Sequence, residues 1–411
     1  MKFFSLKKTF VSAFLVAGAL LSACGTGEPS ESTTAEVVNG TTAATLSPSV
    51  ATTGSDDPEA ATSSSVPENV NHAVTWSLSG DVEASDKIEY ELPEPDELYA
   101  EKDIFYNYLS GIETEETDTL GIRRVTAVCL NNNYSASRFQ SGTSEADVIF
   151  EIPMDYNVTT LLALYYHPNG IAKIGPVRSA VPAAVTVAEG YDAYLLHNGT
   201  IGGASSYIDE YKTDHLDSED DSAYDCFFSD TAIGSVVSYA YSMFSTSARI
   251  TKSLIMLNNE GSHFITDPIY RTPFAFNDEF TTPIGNSAKR VRVFFGGFQP
   301  YFLYNENTGL YERYQHGGPH NDLNTGEILS FENVIVMYAD NEYKNNHLAY
   351  NIEGFGTGLY ASGGKYVNIT WSKASAEEPL LFFDALGNVL NINKGSTFIT
   401  VCSGKNSVSI S

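Results

Sequence analysis

The sequence predicts an α/β domain on a mixed sheet followed by an all-β module, with a lipoprotein signal and a disordered linker in front of them. Three observations carry this. The first residues have the layout of an export signal, residues 25–95 lack the large apolar side chains a core needs, and the rest mixes strand and helix patterns early but shows strands alone late. The boundaries fall at 1–23 (signal), 24–95 (lipidated cysteine and acidic tether), 96–285 (α/β) and 286–411 (β-rich).

The signal comes first. Lysines at 2, 7 and 8 precede an apolar run from Phe10 to Ala23, too short to be read by default as a spanning helix. Leu21-Ser22-Ala23-Cys24 fits the bacterial lipobox, so Cys24 is expected to be diacylated and to start the mature chain; an uncleaved membrane anchor is the alternative. At about 0.8 kcal/mol per buried CH₂, two or three acyl chains hold a protein durably on the outer face of the cell membrane. From 25 to 95 the chain is Thr, Ser, Ala, Pro and carboxylates against one lysine, Lys87. Such a composition cannot offset its ordering entropy and reads as a flexible tether, with "HAVTWSLSG" around Trp76 the one exception.

The folded elements follow in order. "RRVTAVCL" (123–130), "ADVIFEI" (146–152), "TTLLALYY" (159–166) and "AYLLH" ending at His197 are strand-like. "DTAIGSVVSYAYSMF" (230–244) spaces its apolar residues as one helix, with Ser229 or Asp230 placed to cap it. "RVRVFFGG" then leads into "YFLYNENTGLYERYQ", a hairpin. After it come "NVIVMYA", "TGLYASGGKYVNITW" with a Gly-Gly turn, "LLFFDALGNVLNI" and "STFITVC".

Bulk chemistry narrows the function. A net charge of −28 argues against a nucleic-acid partner, whose phosphates need a basic face, though not against a local basic site. Cys129, Cys226 and Cys402 form no C-x-x-C pair; they read as small core residues, or as one bridge with a leftover thiol. No H-E-x-x-H, P-loop, G-x-S-x-G or dinucleotide fingerprint occurs, so neither cofactor nor metal is expected. His316 and His320 stand four apart, but two glycines and a proline forbid the helix that would give the spacing meaning, and with Asp322 they make at most a loop metal site.

The candidate site centres on "KIGPVRSAVP" (173–182). Arg178 behind a Gly-Pro corner, with Ser179 and free backbone N–H groups, makes an anion cradle; a structural ion pair with Asp192 or Glu151 is the competing reading. Arg138 is a second cation and Asp192 a neighbouring carboxylate. Glu151 and Asp155, with Asp147 ahead of them, could flank a site for acid–base work, hold a divalent metal, or simply serve as partners for Arg138 and Arg178. His197 runs into Asn198-Gly199-Thr200, where it acts either as a general base or as a hydrogen-bonded turn residue. The aromatic load, 25 Tyr and 23 Phe, suits sugar stacking as well as core packing.

Four blocks carry a family resemblance: "LNNNYSASRFQSGTSEADVIFE" (130–151); "IGPVRSAVP" (174–182) followed by "YDAYLLHNG" (191–199); "YERYQHGGPHNDLNTGEILSFENVIV" (311–336); and "GKYVNITW" with "DALGNVLNINKGSTFI". Together they resemble the YerB-like lipoproteins of low-GC Gram-positive bacteria, a family built on a paired domain of unknown function. The chain departs from that pattern after Glu151, where "IPMDYNVTT" replaces a second glutamate, paired glycines and an arginine, and at "DCFF" (225–228) in place of His-Asn-Leu-Tyr.

The expectation is therefore a lipid-anchored extracytoplasmic protein of the cell envelope that recognises or processes an anionic envelope glycopolymer. Arg178, Ser179 and Arg138 would hold the anion, with Asp192, Glu151 and Asp155 beside it. The alternative is a non-enzymatic scaffold that docks another envelope protein. Whether the chain is an enzyme stays open at this point.

Overall fold

Alternation of apolar residues sets the architecture, because a strand with one buried residue in every two must be covered on that face. The computed structural model describes residues 105–114, 124–220, 223, 225–259 and 274–411. Cys24, the tether and Trp76 lie outside the described residues. The first segment supplies β1 (Thr126–Asn131), β2 (Val148–Asp155), β3 (Val158–Tyr165), α1 (Pro182–Gly190), β4 (Tyr194–His197), α2 (Ala204–Tyr211), β5 (His215–Asp217), α3 (Thr231–Val236) and α4 (Ser247–Asn259). The second adds β6 (Asn286–Ser287), β7 (Arg290–Val293), β8 (Tyr301–Asn305), β9 (Leu310–Gln315), β10 (Gly318–Pro319), β11 (Ser330–Phe331) and β12 (Asn333–Tyr338). It continues with β13 (Gly354–Ser362), β14 (Lys365–Lys373), β15 (Leu381–Phe383), β16 (Thr397–Cys402) and β17 (Val408–Ile410).

The expected α/β-then-β order holds along the chain, but the two segments do not make separate sheets. An 11-stranded mixed sheet runs β6-β14-β13-β12-β16-β2-β3-β1-β4-β5, with β15 beside β14. Its middle is the parallel pair β16–β2, in register from Thr397 opposite Val148 to Thr400 opposite Glu151. Without β16, the strand Val148–Met154 would present a bare edge although all seven of its residues are buried. The boundary at residue 285 thus separates segments of sequence, not of core.

Each face of this sheet carries one core, and both cores draw on both segments. Ala127, Phe150, Leu162, Ile335 and Ile399 belong to one, under α1 with Ala184 and Val187. Val128, Ile149, Leu161, Val334 and Phe398 belong to the other. A six-stranded second sheet, β10-β9-β8-β7-β17 with β11 beside β9, covers that second face through Val291, Phe302 and Tyr311. Cys129, Cys226 and Cys402 are free and buried, so no bridge links them. Burial pushes the Cys129 and Cys402 thiols up to about 12 and Cys226 up to about 11, which leaves them as core residues.

One expectation needs correction. The helix read over 230–244 stops at Val236, although Asp230 does cap it by accepting from the Ile233 N–H at 3.0 Å. Val236 and Val237 are poor continuers, and Met243–Phe244 is instead captured as a strand: Val177 N–H donates to Met243 O at 2.7 Å and Ile174 N–H to Ser245 O at 2.9 Å. Glycine at 175 permits this, since a Cβ there would sit 2.5 Å from the Phe244 ring. β1 lies between β3 and β4, so the strands at 159–166 and 194–197 are not neighbours although they follow one another in sequence.

β12, β16, β2, β1, β4 and β5 all run in one direction, so their C-terminal ends share one edge of the sheet. Ligands of open α/β sheets bind outside such an edge. Among the described residues no helix is long and apolar enough to cross a membrane.

Candidate functional site

At that edge a cleft of about 810 Å³ opens where four loops meet. Asn133, Tyr134 and Ser135 come from the loop after β1, and Asn157 and Val158 from the β2–β3 hairpin. Gly297, Phe298 and Gln299 come from the β7–β8 turn, and His316 and Gly317 from the β9–β10 turn. Two loops belong to each segment, so neither segment makes the cleft alone. Asn157, at φ 68°, reaches across: its Oδ1 accepts from the Gly297 N–H and, at 3.3 Å, from the Phe298 N–H.

The aromatic side of the cleft is built with local strain. β9 and β10 are joined by two residues at positive φ, His316 at 52° and Gly317 at 85°. Glycine or asparagine suits the first of these positions, and a side chain such as histidine costs about 1–2 kcal/mol there. The His316 ring stacks on Phe298 at 4.7 Å and meets Tyr134 edge-on at 5.2 Å, and its Nε2 has no hydrogen-bond partner. Burial lowers the His316 pKa, partly opposed by the Asn132 backbone, so the ring is neutral at pH 7. Tyr134 is 72% exposed at the rim.

Beneath the cleft lies a closed polar network with Glu151 at its centre. Alternation on β2 turns Glu151 toward the second sheet, and alternation on β9 turns Arg313 and Gln315 back toward it. Glu151 Oε1 accepts from Arg313 Nη2 at 2.7 Å and Thr159 Oγ1 at 3.0 Å, and its Oε2 accepts from Thr400 Oγ1 at 2.9 Å. Arg313 also donates through Nε to His320 Nδ1 at 3.1 Å, and its guanidinium lies 4.5 Å over the Phe398 ring. His320 donates onward through Nε2 to Gln140 Oε1. Gln140 Nε2 and Gln315 Nε2 both reach Asn132 Oδ1, at 3.3 and 3.0 Å. Glu151 and Arg313 are both fully buried.

Several expected partners therefore separate. Glu151 is no partner for Arg178 or Arg138, because Arg313 takes it. Asp155 accepts from the Tyr156 N–H at the hairpin, past a register shift between Pro153 and Asp155, and does not join Glu151. Asp192 pairs with Arg124 at 2.8 Å at the start of β4, the whole strand away from His197 at its end. Asp147 accepts from the Tyr166 N–H at 2.7 Å and from Asn107. His197 is fully buried, bonded to Gly199 O and to His215 at 2.9 Å each, with Asp217 at 3.6 Å. His316, His320 and Asp322 do not converge: Asp322 accepts from the Ser144 N–H at 2.9 Å instead. Among the described residues no cluster of three His, Cys, Asp or Glu could hold a metal ion.

Among the described residues Arg178 keeps no ion pair. Its backbone N–H is taken by Cys129 O at 2.7 Å, and Ser179 Oγ donates to Asn198 O at 2.9 Å, so neither offers a free donor to an anion. The guanidinium meets the Tyr241 ring at 5.9 Å. Arg138 is exposed beside Phe139. Arg313, Asn132, Gln140 and Gln315 were not singled out from the sequence. The signal was present in "LYERYQ", where the alternation that buries Tyr311 also buries Arg313 and so demands a buried acceptor.

A mixed sheet shared by two segments, with a cleft assembled from loops of both, defines a two-part domain whose halves are incomplete alone. The chain belongs to the family described as proteins of unknown function DUF3048: its N-terminal domain matches residues 109–254 and its C-terminal domain residues 291–399. The chain is 26% identical over 276 residues to the protein named "Putative lipoprotein YerB" of Bacillus subtilis (strain 168), covering 65% of this chain and 78% of that one. It also matches the crystal structure of YerB protein from Bacillus subtilis with a TM-score of 0.63 at 23% identity, over 75% of this chain and 99% of the other, a likeness of fold.

The buried histidines set a pH dependence. Burial lowers the pKa of His197 and His316 and takes His320 well below its ordinary value, so each folds neutral. Unfolded histidines bind a proton near pH 6.5, and each such uptake costs about 1.4 kcal/mol of stability per pH unit as pH falls below that value. Asp147, pushed up to about 6 by burial, works in the opposite sense and adds stability as pH falls below 6. Glu145, also raised by burial, works in the same sense as Asp147, and three groups against two still give a net loss. Thermal melts should show Tm dropping from pH 7 to pH 5.5, less steeply in His320→Gln; a Tm that is flat or rises over that range contradicts this assignment.

Proposed function

We propose that the chain is a membrane-anchored lipoprotein that recognises an envelope glycopolymer through the composite cleft without cleaving it. The observation that carries this is the lining. Tyr134 and the His316–Phe298 stack offer an aromatic platform, while Asn133, Ser135 and Gln299 offer neutral hydrogen-bonding groups. That combination suits a sugar ring, which presents an apolar face and hydroxyls at its edge. Glycoside cleavage needs two carboxyl groups flanking the bond. Here Glu151 is sealed under the cleft by Arg313, and no lining residue is a carboxylate. The Arg178 guanidinium, with Arg138, extends the reading to anionic substituents along the same sheet edge, while Ser179, committed to Asn198 O, drops out of it.

Anchoring is proposed through lipid on Cys24, from the lipobox and from the word "lipoprotein" in the relative's name. Cys24→Ala should move the protein out of the membrane fraction; unchanged retention would sink the anchor.

The cleft is tested by titrating the protein with glycan fragments. Tyr134→Ala removes an exposed ring and should leave Tm unchanged while weakening binding by about tenfold, the loss of one stacking contact of about 1.4 kcal/mol. If no fragment binds, or if Tyr134→Ala binds as the parent does, the reading fails. A scaffold that docks an envelope protein is then favoured, and crosslinking in the envelope would find its partner.

A further inference from the structure

The outer face of the second sheet carries a group of side chains that the cleft does not use. Register places Arg292 opposite Tyr301 and Tyr301 opposite Tyr314, with Arg290 two residues from Arg292 on the same face of β7. Both guanidiniums lie on the Tyr301 ring, 4.5 Å from its centroid for Arg290 and 5.4 Å for Arg292. That ring is stacked on Tyr314 at 5.1 Å with an interplanar angle of 2°. The stack fixes both forks and buries the Nε atom of each arginine without a hydrogen-bond partner.

Among the described residues neither guanidinium pairs with a side-chain carboxylate, although Ser411 bonds the Arg290 backbone, its O accepting from the Arg290 N–H at 2.9 Å. Lys289 next to them pairs with Glu306, and Arg313 on the inner face pairs with Glu151, but among the described residues Arg290 and Arg292 form no ion pair. Glu312, the carboxylate on the same face of β9, is occupied by Asn305 at 2.6 Å and the Tyr314 hydroxyl at 3.0 Å. In a chain with 51 acidic and 23 basic residues, two adjacent cations held rigid and left unpaired form a site, not a solvated surface.

We infer that Arg290 and Arg292, both held on the Tyr301 ring, form an anion-binding ladder for a polyanionic chain. A phosphodiester and a uronate share the chemistry that fits, two oxygens in a plane facing a guanidinium fork. The position fits a continuous ligand. Tyr301 follows the cleft residue Gln299 by two positions and Tyr314 precedes His316 by two, so the tyrosine stack beneath the arginines stands about 7 Å of strand from the cleft lining. The inference rests on the glycopolymer reading for the nature of the polymer, while the anion contact stands on β7 itself.

The test titrates the full chain with three probes: poly(glycerol phosphate), oligogalacturonate and uncharged chitotetraose. At least one polyanion should bind with an affinity that falls as salt is added, and the probe that binds distinguishes phosphate from carboxylate. The pair Arg290→Gln and Arg292→Gln should weaken that binding by at least about tenfold and remove most of its salt dependence, leaving chitotetraose binding and Tm unchanged. The corresponding lysine pair should recover only part, since it restores charge without the fork. The ladder is overturned if neither polyanion binds the parent protein or if the glutamine pair binds as tightly as the parent. Failure of chitotetraose alone counts against the cleft reading and leaves the arginine result standing.

Discussion

The buried pair of Glu151 and Arg313 is the constraint on which the rest of the structure depends. Taking both charges out of water costs several kcal/mol per ion, recovered only when geometry is good and the remaining polar atoms are satisfied. Glu151 meets that condition through Thr159, Thr400 and Arg313, and Arg313 through His320, Gln315 and the faces of Phe398 and Phe302. One atom falls short, since Arg313 Nη1 is buried without a partner. Glu151 sits on a strand of the first segment and Arg313 on a strand of the second. The pair therefore fixes how the second sheet seats on the first.

The cleft inherits its shape from that seating. Asn132 lies inside the network and Asn133 lines the cleft; Gln315 lies inside and His316 lines it. Asn133 and His316 are thus each held by the residue before them, which is how a histidine can be kept at positive φ in the β9–β10 turn. A second clamp works from above, where Asn157 bonds the Gly297 and Phe298 N–H groups across the two segments. Gly296 is needed beside it, because a Cβ there would approach Asn157 Oδ1 to 2.7 Å. The proposed ladder lies on the far face of the same second sheet, so what fixes the cleft also fixes the distance to Arg292.

Local patterns in the sequence were legible where local physics decides. The hairpin at Asn305–Gly309, the Gly363-Gly364 turn and the Asp230 cap follow from turn and capping chemistry alone. The pairing of β16 with β2 was not legible, because apolar runs such as "STFITVC" and "ADVIFEI" announce strands without saying which neighbour each one takes. The site failed in the same way. Glu151 and Arg178 stood out as charges in apolar stretches, yet the partner of Glu151 lay 162 positions along the chain in Arg313. Arg178 was left with the Tyr241 ring. Capture of Met243–Phe244 by the segment after Ile174 overrode a helical pattern for the same reason, a long-range pairing that no local window contains.

A double-mutant cycle on the central pair tests this account most directly. Glu151→Gln and Arg313→Met, singly and together, would be unfolded in urea. Each single change should cost about 3–5 kcal/mol by stranding its partner, and the double variant should cost less than the sum by about 2 kcal/mol or more. Single costs below about 1 kcal/mol, or costs that simply add, would contradict the claim that this pair joins the two segments.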